Sequence, residues 1–533
     1  MKTRNKISIC FTVVLISVLC FGCNTDNNKV DKELLVIPVE NDIQTLNPTT
    51  LSDPYTSKIV WQIYEGLLGL DENGKPLPMI AESWSANEDY TVWTFNIRPN
   101  VFFQKSSVFN TPDSTRTVNA RDVARSYKHF AKGFGSFVFS GLVEGFEDYI
   151  ANKSKDISGF KADGEMIFRV TLNHRDPSFI YRITSPYLSI MPYEVIENTP
   201  AELGVSVNIG TGPFKFMRRT ETEVYLERNE YYWRKTKGNV KRIIFRVEKN
   251  QQLRLTQFKT GQFSIMQIPV SAIPEFFNGT KLKEDYSKEF ATYKATTFNV
   301  HYLGINNQAI SNVHLRRAIA YAIDKKSIVD KLLYSYATTA ESPVLPGMQG
   351  YVPPSGPGYN TDSARIELAL SGYKGTPIKL FVSDVPNSEQ IGLIIQSDLK
   401  KAGINIEIVK LDFNTLISRL FSDSRPELFV AFSEWVFSTP ELIMDSYNSN
   451  KFPNPNLFAY KNSQVDTLLS EIPQLKTREE INALCAKIES VASPEVPAVW
   501  LFNQNQIYLM NIRLKGFSVN GHNQWNLLDV YYE

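Results

Sequence analysis

Residues 377 to 435 constrain the fold more than any other stretch of this chain. Ile378-Lys-Leu-Phe-Val-Ser383 reads as a short strand, stopped by Val385-Pro386. Asn387 is placed to cap a following helix, with Gln390 three residues on as its capping-box partner. Ile391, Ile394, Ile395, Leu399 and Ala402 recur at helical spacing, and Gly403 stands where a helix ends in left-handed backbone. Residues Ile404 to Val409 alternate at period two, the mark of a second strand. Strand, helix and strand of these lengths make a βαβ unit with parallel strands. A helix from about Asn414 to Phe421 and a third strand, Glu427 to Trp435, extend it. The fold class is therefore α/β. Ligands of open α/β sheets gather beyond the carboxyl ends of the strands, so Glu434 to Ser438 is a candidate site on topology alone. Further helices are expected after Asn312 and Asp324, each of which can serve as a cap.

The chain has 533 residues, too many for one ordinary core, and two or three domains are expected. Its start is a separate matter. Lys2, Arg4 and Lys6 precede an apolar run from Ile7 to Phe21, which is shorter than the roughly 20 residues that cross a bilayer. That run reads as a secretory signal. It ends in Leu19-Cys20-Phe21-Gly22-Cys23 before a polar stretch, an arrangement that resembles a bacterial lipoprotein signal. Gly22 fits the small position there, whereas Cys20 stands where Leu is usual. The expectation is a signal peptide over 1–23, lipidation at Cys23, and a polar tether over 24–31. The body would then sit outside the cytoplasm, on the periplasmic or extracellular face of a bacterial membrane. Cys485 is left without a disulfide partner in a helical pattern, where a packed core thiol is expected.

Little in the sequence points to catalysis. Lys plus Arg number 57 against 56 Asp plus Glu, so the basic excess of a nucleic-acid binder is missing. The histidines at 129, 174, 301, 314 and 522 show no metal-ligand spacing, and no metal or cofactor is expected. Ser397-Asp-Leu-Lys400 has the spacing of a serine nucleophile and its lysine, but both residues fall on the polar side of the helix and the companion motifs are missing. No catalytic residue is assigned, and the chain is not expected to be an enzyme.

Several segments together resemble the family 5 extracellular solute-binding proteins, which include dipeptide- and oligopeptide-binding proteins of ABC importers. They are Gln44-Thr-Leu-Asn-Pro48, Ile63-Tyr-Glu-Gly-Leu-Leu68, Ala81-Glu-Ser-Trp84, Asn119-Ala-Arg-Asp-Val123, Gly210-Thr-Gly-Pro-Phe214 and Asn229-Glu-Tyr-Tyr-Trp233. In the second half, Leu303-Gly-Ile-Asn306, Arg316 to Asp324 and Leu345-Pro-Gly347 fit as well. The resemblance spans about residues 35 to 530. It implies a type II periplasmic-binding-protein clamshell with an extra subdomain. Lobe I would take 32–270 plus 497–533, with 62–165 as the subdomain, and lobe II would take 271–496. The chain would act as a monomer that captures a peptide or peptide-like solute and hands it to an ABC permease and ATPase.

In the family's peptide binders, extended ligand backbone pairs with two protein segments. Here those would be Asp42-Ile43-Gln44 and Trp435-Val436-Phe437. The family also carries an Asp three residues after that Trp, which meets the ligand's ammonium. This chain has Ser438 instead, and a hydroxyl supplies no counter-charge. Glu434, Glu441 or Asp42 could take that part. The alternatives are a non-peptide solute in the same fold (an oligosaccharide, a blocked peptide, haem or a metal chelate), a sensing lipoprotein without transport, or a secreted hydrolase.

Overall fold

The computed structural model describes residues 31–533 apart from 51–53, 72–73, 352–357 and 423. The expected signal peptide, Cys23 and the tether up to residue 30 lie outside the described residues.

The first half builds two four-stranded sheets. Its elements are β1 (Leu34–Val39), α1 (Pro54–Ile63), β2 (Ala81–Ala86), β3 (Val92–Ile97), α2 (Ala120–Phe130), β4 (Phe160–Asp163), β5 (Ile167–Thr171), β6 (Phe214–Arg219), β7 (Glu223–Arg228) and β8 (Arg242–Val247). β1 runs parallel to β8, and β7 and β6 follow antiparallel. The other sheet has the order β2-β3-β5-β4, all antiparallel. Alternating burial along β1, β3 and β7 turns one face of each into a shared core that includes Leu35, Phe95, Phe168 and Phe245. Two of the motif segments gain a physical reason here. Asn119 and Asp122 form the capping box of α2, and Arg116 holds the buried Asp122 carboxylate. Gly210 and Gly212 lie against the end of α1, where a Cβ on Gly210 would stand 2.1 Å from the Ile63 carbonyl oxygen.

The second half builds one large sheet around β9 (Ile265–Gln267), β10 (Phe290–Thr296), β11 (Asn299–Ile305), α3 (Val313–Ala322), β12 (Ile378–Val382), α4 (Ser388–Ala402), β13 (Ile406–Lys410), α5 (Phe413–Leu420), β14 (Leu428–Glu434), α6 (Arg478–Ala492) and β15 (Ala498–Asn511). β12 pairs parallel with β13 and with β14, as the βαβ spacing requires. β14 then runs antiparallel to β11, and β11 to β15. One face of this sheet packs Tyr302, Phe429, Tyr447, Cys485 and Trp500, and the other packs Leu303, Ile319, Leu380, Ile391 and Val430. Cys485 is thus the core thiol that its helical pattern indicated. Ser397 and Lys400 lie exposed on α4.

Two local expectations need correction. Asn387 does not cap α4: after the Pro386 turn it takes left-handed backbone, φ 66°, and its side chain makes no cap bond. Ser388 closes the turn instead, its hydroxyl accepting from the Ser383 amide at 3.0 Å. Glu427 also falls just before β14, and its carboxylate accepts from the Lys379 amide at 2.9 Å. Asn312 does cap α3, accepting from the amides of His314 and Leu315. Asn312→Ala should lower stability by about 1 kcal/mol in urea unfolding.

β15 is unusually long at 14 residues and serves two neighbourhoods. Ala498 to Phe502 pair with β11, while Asn505 to Asn511 pair with β10 and, on the opposite edge, Tyr508 to Met510 pair with β9. Between β10 and β11 the chain passes through Thr297 and Phe298, directly beside Asn503 and Gln504. Side-chain amides knit the two passages together. Asn299 Nδ2 donates to the Gln504 carbonyl at 2.9 Å, and Asn503 Nδ2 donates to the Thr297 carbonyl at 2.8 Å.

Candidate ligand-binding site

A cleft opens at the carboxyl end of β14, next to these passages. Glu434, Trp435 and Val436 form one wall. Facing them is α1, whose Ile59, Val60 and Ile63 are buried in the first core, which leaves Ser57 and Trp61 toward the cleft. Trp61 is fixed by donating its indole N–H to the Pro186 carbonyl at 3.0 Å, with the Tyr187 ring edge-on at 6.3 Å. Phe298 forms the floor. Its amide donates to the Gly521 carbonyl and its own carbonyl accepts from the Trp435 amide, both at 2.7 Å. The loop carrying His522 and Asn523 closes the remaining side.

Glu434 is reachable by solvent yet walled by protein. Burial raises its carboxyl above the ordinary glutamate range, and Lys58 and an Asn523 hydrogen bond offset part of that rise. Lys58, on α1, is buried. Its ammonium donates to Gln267 Oε1 at 3.1 Å and sits 4.6 Å over the Trp525 ring. Burial pushes it down to about 8, against the pull of Glu434 and Glu40. Lys58 thus sits behind the cleft, where its charge acts on the Glu434 carboxyl without lining the space itself.

The residues indicated by sequence divide into two groups. Glu434, Trp435 and Val436 line the cleft. Phe437 points away from it, edge-on to Phe137 at 5.8 Å and beneath the Arg182 guanidinium. Ser438 is fully buried and donates to the Gly74 carbonyl at 2.9 Å, so its hydroxyl meets protein rather than solute. The segment Asp42-Ile43-Gln44 does not line the cleft. Ile43 is packed in the first core, and the carbonyls of Ile43 and Gln44 accept from Arg219 at 2.6 and 3.3 Å. Asp42 is paired outside with Lys249 at 2.6 Å. Glu441 is likewise occupied, gripped by Arg478 through both oxygens at 2.8 Å. Of the three candidate counter-charges, Glu434 alone faces the cleft. Lys58, His522 and Asn523 carried no signal in the sequence, because what makes them matter is their meeting across hundreds of residues.

Among the described residues, no group of three or more His, Cys, Asp or Glu side chains is placed to hold a metal ion, and no helix is long and apolar enough to cross a membrane.

The model of bacterial extracellular solute-binding proteins, family 5 (middle region), matches residues 75–454. The chain belongs to this family. Among relatives, the probable D,D-dipeptide-binding periplasmic protein DdpA of Escherichia coli is 25% identical over 534 residues, 97% of each chain. Heme-binding protein A of Haemophilus influenzae is also 25% identical, covering 86% of this chain and 84% of that one. In structure, HbpA2 from Haemophilus parasuis aligns with a TM-score of 0.78 at 23% identity, over 94% of this chain and all of that one. DppA from Helicobacter pylori, solved with the peptide STSA, aligns with a TM-score of 0.73 at 22% identity, over 94% and 98%. The fold of this family 5 protein is that of the periplasmic binding proteins, as the motif segments implied.

Restoring the family's aspartate at position 438 should not create an ammonium site in this family member. Ser438→Asp would bury a carboxylate against a carbonyl oxygen. The expected result is a melting temperature several degrees lower, with no gain in peptide affinity, read by thermal unfolding and calorimetry.

Proposed function

We propose that this family 5 protein captures a short peptide with a free amino terminus and presents it to an ABC importer. The observation that carries this reading is the Glu434 carboxylate, standing in an aromatic cleft just beyond the end of β14. The Trp435 amide is taken by the Phe298 carbonyl, but among the described residues no strand pairing includes Val436, so extended ligand backbone could add there. Trp61, Tyr187 and Trp435 would cover its apolar parts. The names of relatives bring support, since DdpA is called a dipeptide-binding protein and OppA of Salmonella typhimurium an oligopeptide-binding one.

We assign the lobes from the strands: one from residue 31 to 296 plus 505–533, the other from 299 to 502, with the sheet β2-β3-β5-β4 and α2 as an added subdomain. The hinge is then the pair of passages at 297–298 and 503–504, and a solute touching both walls of the cleft favours closure. Cys23 would carry the lipid that tethers the protein, acting as a monomer, to the outer face of a membrane.

The test is a melting-temperature panel on protein stripped of carried solute, with free di- to pentapeptides, their N-acetylated forms, oligosaccharides, nickel–histidine and haem. A ligand at a hundred times its dissociation constant adds about 2.7 kcal/mol, roughly 2 to 3 °C for a chain of this length unfolding as one unit. Shifts with free peptides alone support the proposal. Shifts only with acetylated peptides, sugars, the nickel complex or haem would replace the peptide by that solute.

A further inference from the structure

The cleft holds polar atoms that the protein itself leaves unanswered. His522 is 7% exposed and lines the cleft, yet neither ring nitrogen has a hydrogen-bond partner. Asn523 beside it is 6% exposed, and its Oδ1 is equally unpartnered. From the opposite wall, the Trp435 indole N–H is buried without an acceptor. Leaving such groups dry and unpaired is costly, so a site that does so is built for something that answers them.

The loop is held in place for this. Gly521 approaches the Phe298 ring so closely that a Cβ would lie 2.3 Å from it. Asn523 takes left-handed backbone, φ 60°, secured by its amide donating to the Asn520 carbonyl at 2.9 Å and by the Gln524 amide donating to Asn520 Oδ1 at 3.0 Å. Strained backbone kept at a cleft is a mark of positions that read a ligand.

The chemistry of the ligand group follows from what lines the cleft. Burial pushes His522 down to about 3, so its ring is neutral at physiological pH and offers one donor and one acceptor. Asn523 adds an acceptor and Trp435 a donor. Among the described lining residues Glu434 is the one charged group, so nothing beside the loop answers an anion. What answers these polar atoms is an uncharged group with both a donor and an acceptor, and in a peptide whose ammonium lies on Glu434 the neighbouring group of that kind is the first amide.

We propose that His522 and Asn523 read the first amide of the bound ligand, the one adjacent to the ammonium held by Glu434. This rests on the peptide reading above and adds to it a specificity-determining pair.

The test compares L-alanyl-L-alanine with its ester counterpart, L-alanyl-L-lactate, by calorimetry on the full chain. The ester has no amide N–H and a poorer carbonyl acceptor. Wild type should bind the dipeptide about tenfold more tightly. His522→Phe, which keeps a ring against Phe298, should bring that ratio close to one, and His522→Gln, which restores a donor and an acceptor, should recover most of it. Should the phenylalanine variant fail to fold, Asn523→Gly removes the neighbouring side chain at a backbone angle glycine tolerates, and it should cut the ratio as well. A ratio unchanged in these variants, or no discrimination by wild type, overturns the inference and leaves the peptide reading standing. Binding of neither compound, beside binding of haem or a sugar, overturns both.

Discussion

Replacing Glu434 by glutamine should weaken binding of free-amine peptides roughly ten- to a hundredfold and leave N-acetylated peptides unaffected. Glutamine keeps the size of the side chain and one acceptor oxygen, so what is lost is the charge. A charge-assisted hydrogen bond contributes about 1.5 to 3 kcal/mol, and no second carboxylate stands ready in the cleft. Glu441 is held by Arg478 and Asp42 by Lys249. The pH dependence has a definite sign. Burial raises the Glu434 carboxyl, so it takes up a proton at a higher pH than an ordinary glutamate, and peptide affinity should fall on mild acidification. Lys58 works against that rise, and Lys58→Met should move the loss of binding to still higher pH. Calorimetry between pH 5 and 8 on wild type and the two variants reads all of this. Equal affinities of wild type and Glu434→Gln for the free peptide would place the ammonium elsewhere.

The second large effect concerns stability. Glu489, on α6, is lifted by burial to about 8, although the neighbouring Ser342 and Tyr447 side chains pull it back. The folded protein therefore holds this proton up to about pH 8, while the unfolded chain releases it near the ordinary value of 4.5. The contribution to stability is fully present below that lower value and is lost as pH rises through 8. At 1.36 kcal/mol per unit, the swing reaches about 5 kcal/mol at most. Glu489→Gln is neutral at every pH. It should flatten the slope and leave the variant several kcal/mol more stable than wild type at pH 9, with a much smaller difference at pH 5. Urea unfolding at the two pH values measures it. An identical pH slope in both proteins would mean that the carboxylate ionises without cost.

The parts of the fold legible in the sequence were those set by local spacing. The run from Ile378 to Glu434 announced its strands and its helix because a single period governs each, and Gly403 ended the helix where a left-handed residue was needed. Asn387 misled because a capping residue and a turn residue look alike in sequence, and the preceding proline decided between them. The site was only half legible. Glu434 to Ser438 followed from where a strand ends, and of these Glu434 to Val436 line the cleft while the Ser438 hydroxyl is taken by Gly74; Asp42 to Gln44 were carried over from family pattern, and Arg219 occupies the carbonyls of Ile43 and Gln44. Lys58 and His522 could not be found by spacing, since a buried cation beside Trp525 and an unanswered imidazole exist only once the chain has closed on itself.

The long strand β15 limits how the molecule can be taken apart. Either lobe made alone would lack half of that strand's partners and would expose a bare row of amides and carbonyls, a template for aggregation. The lobes should accordingly unfold in a single cooperative step, and truncation at the hinge should yield insoluble fragments in place of two small proteins.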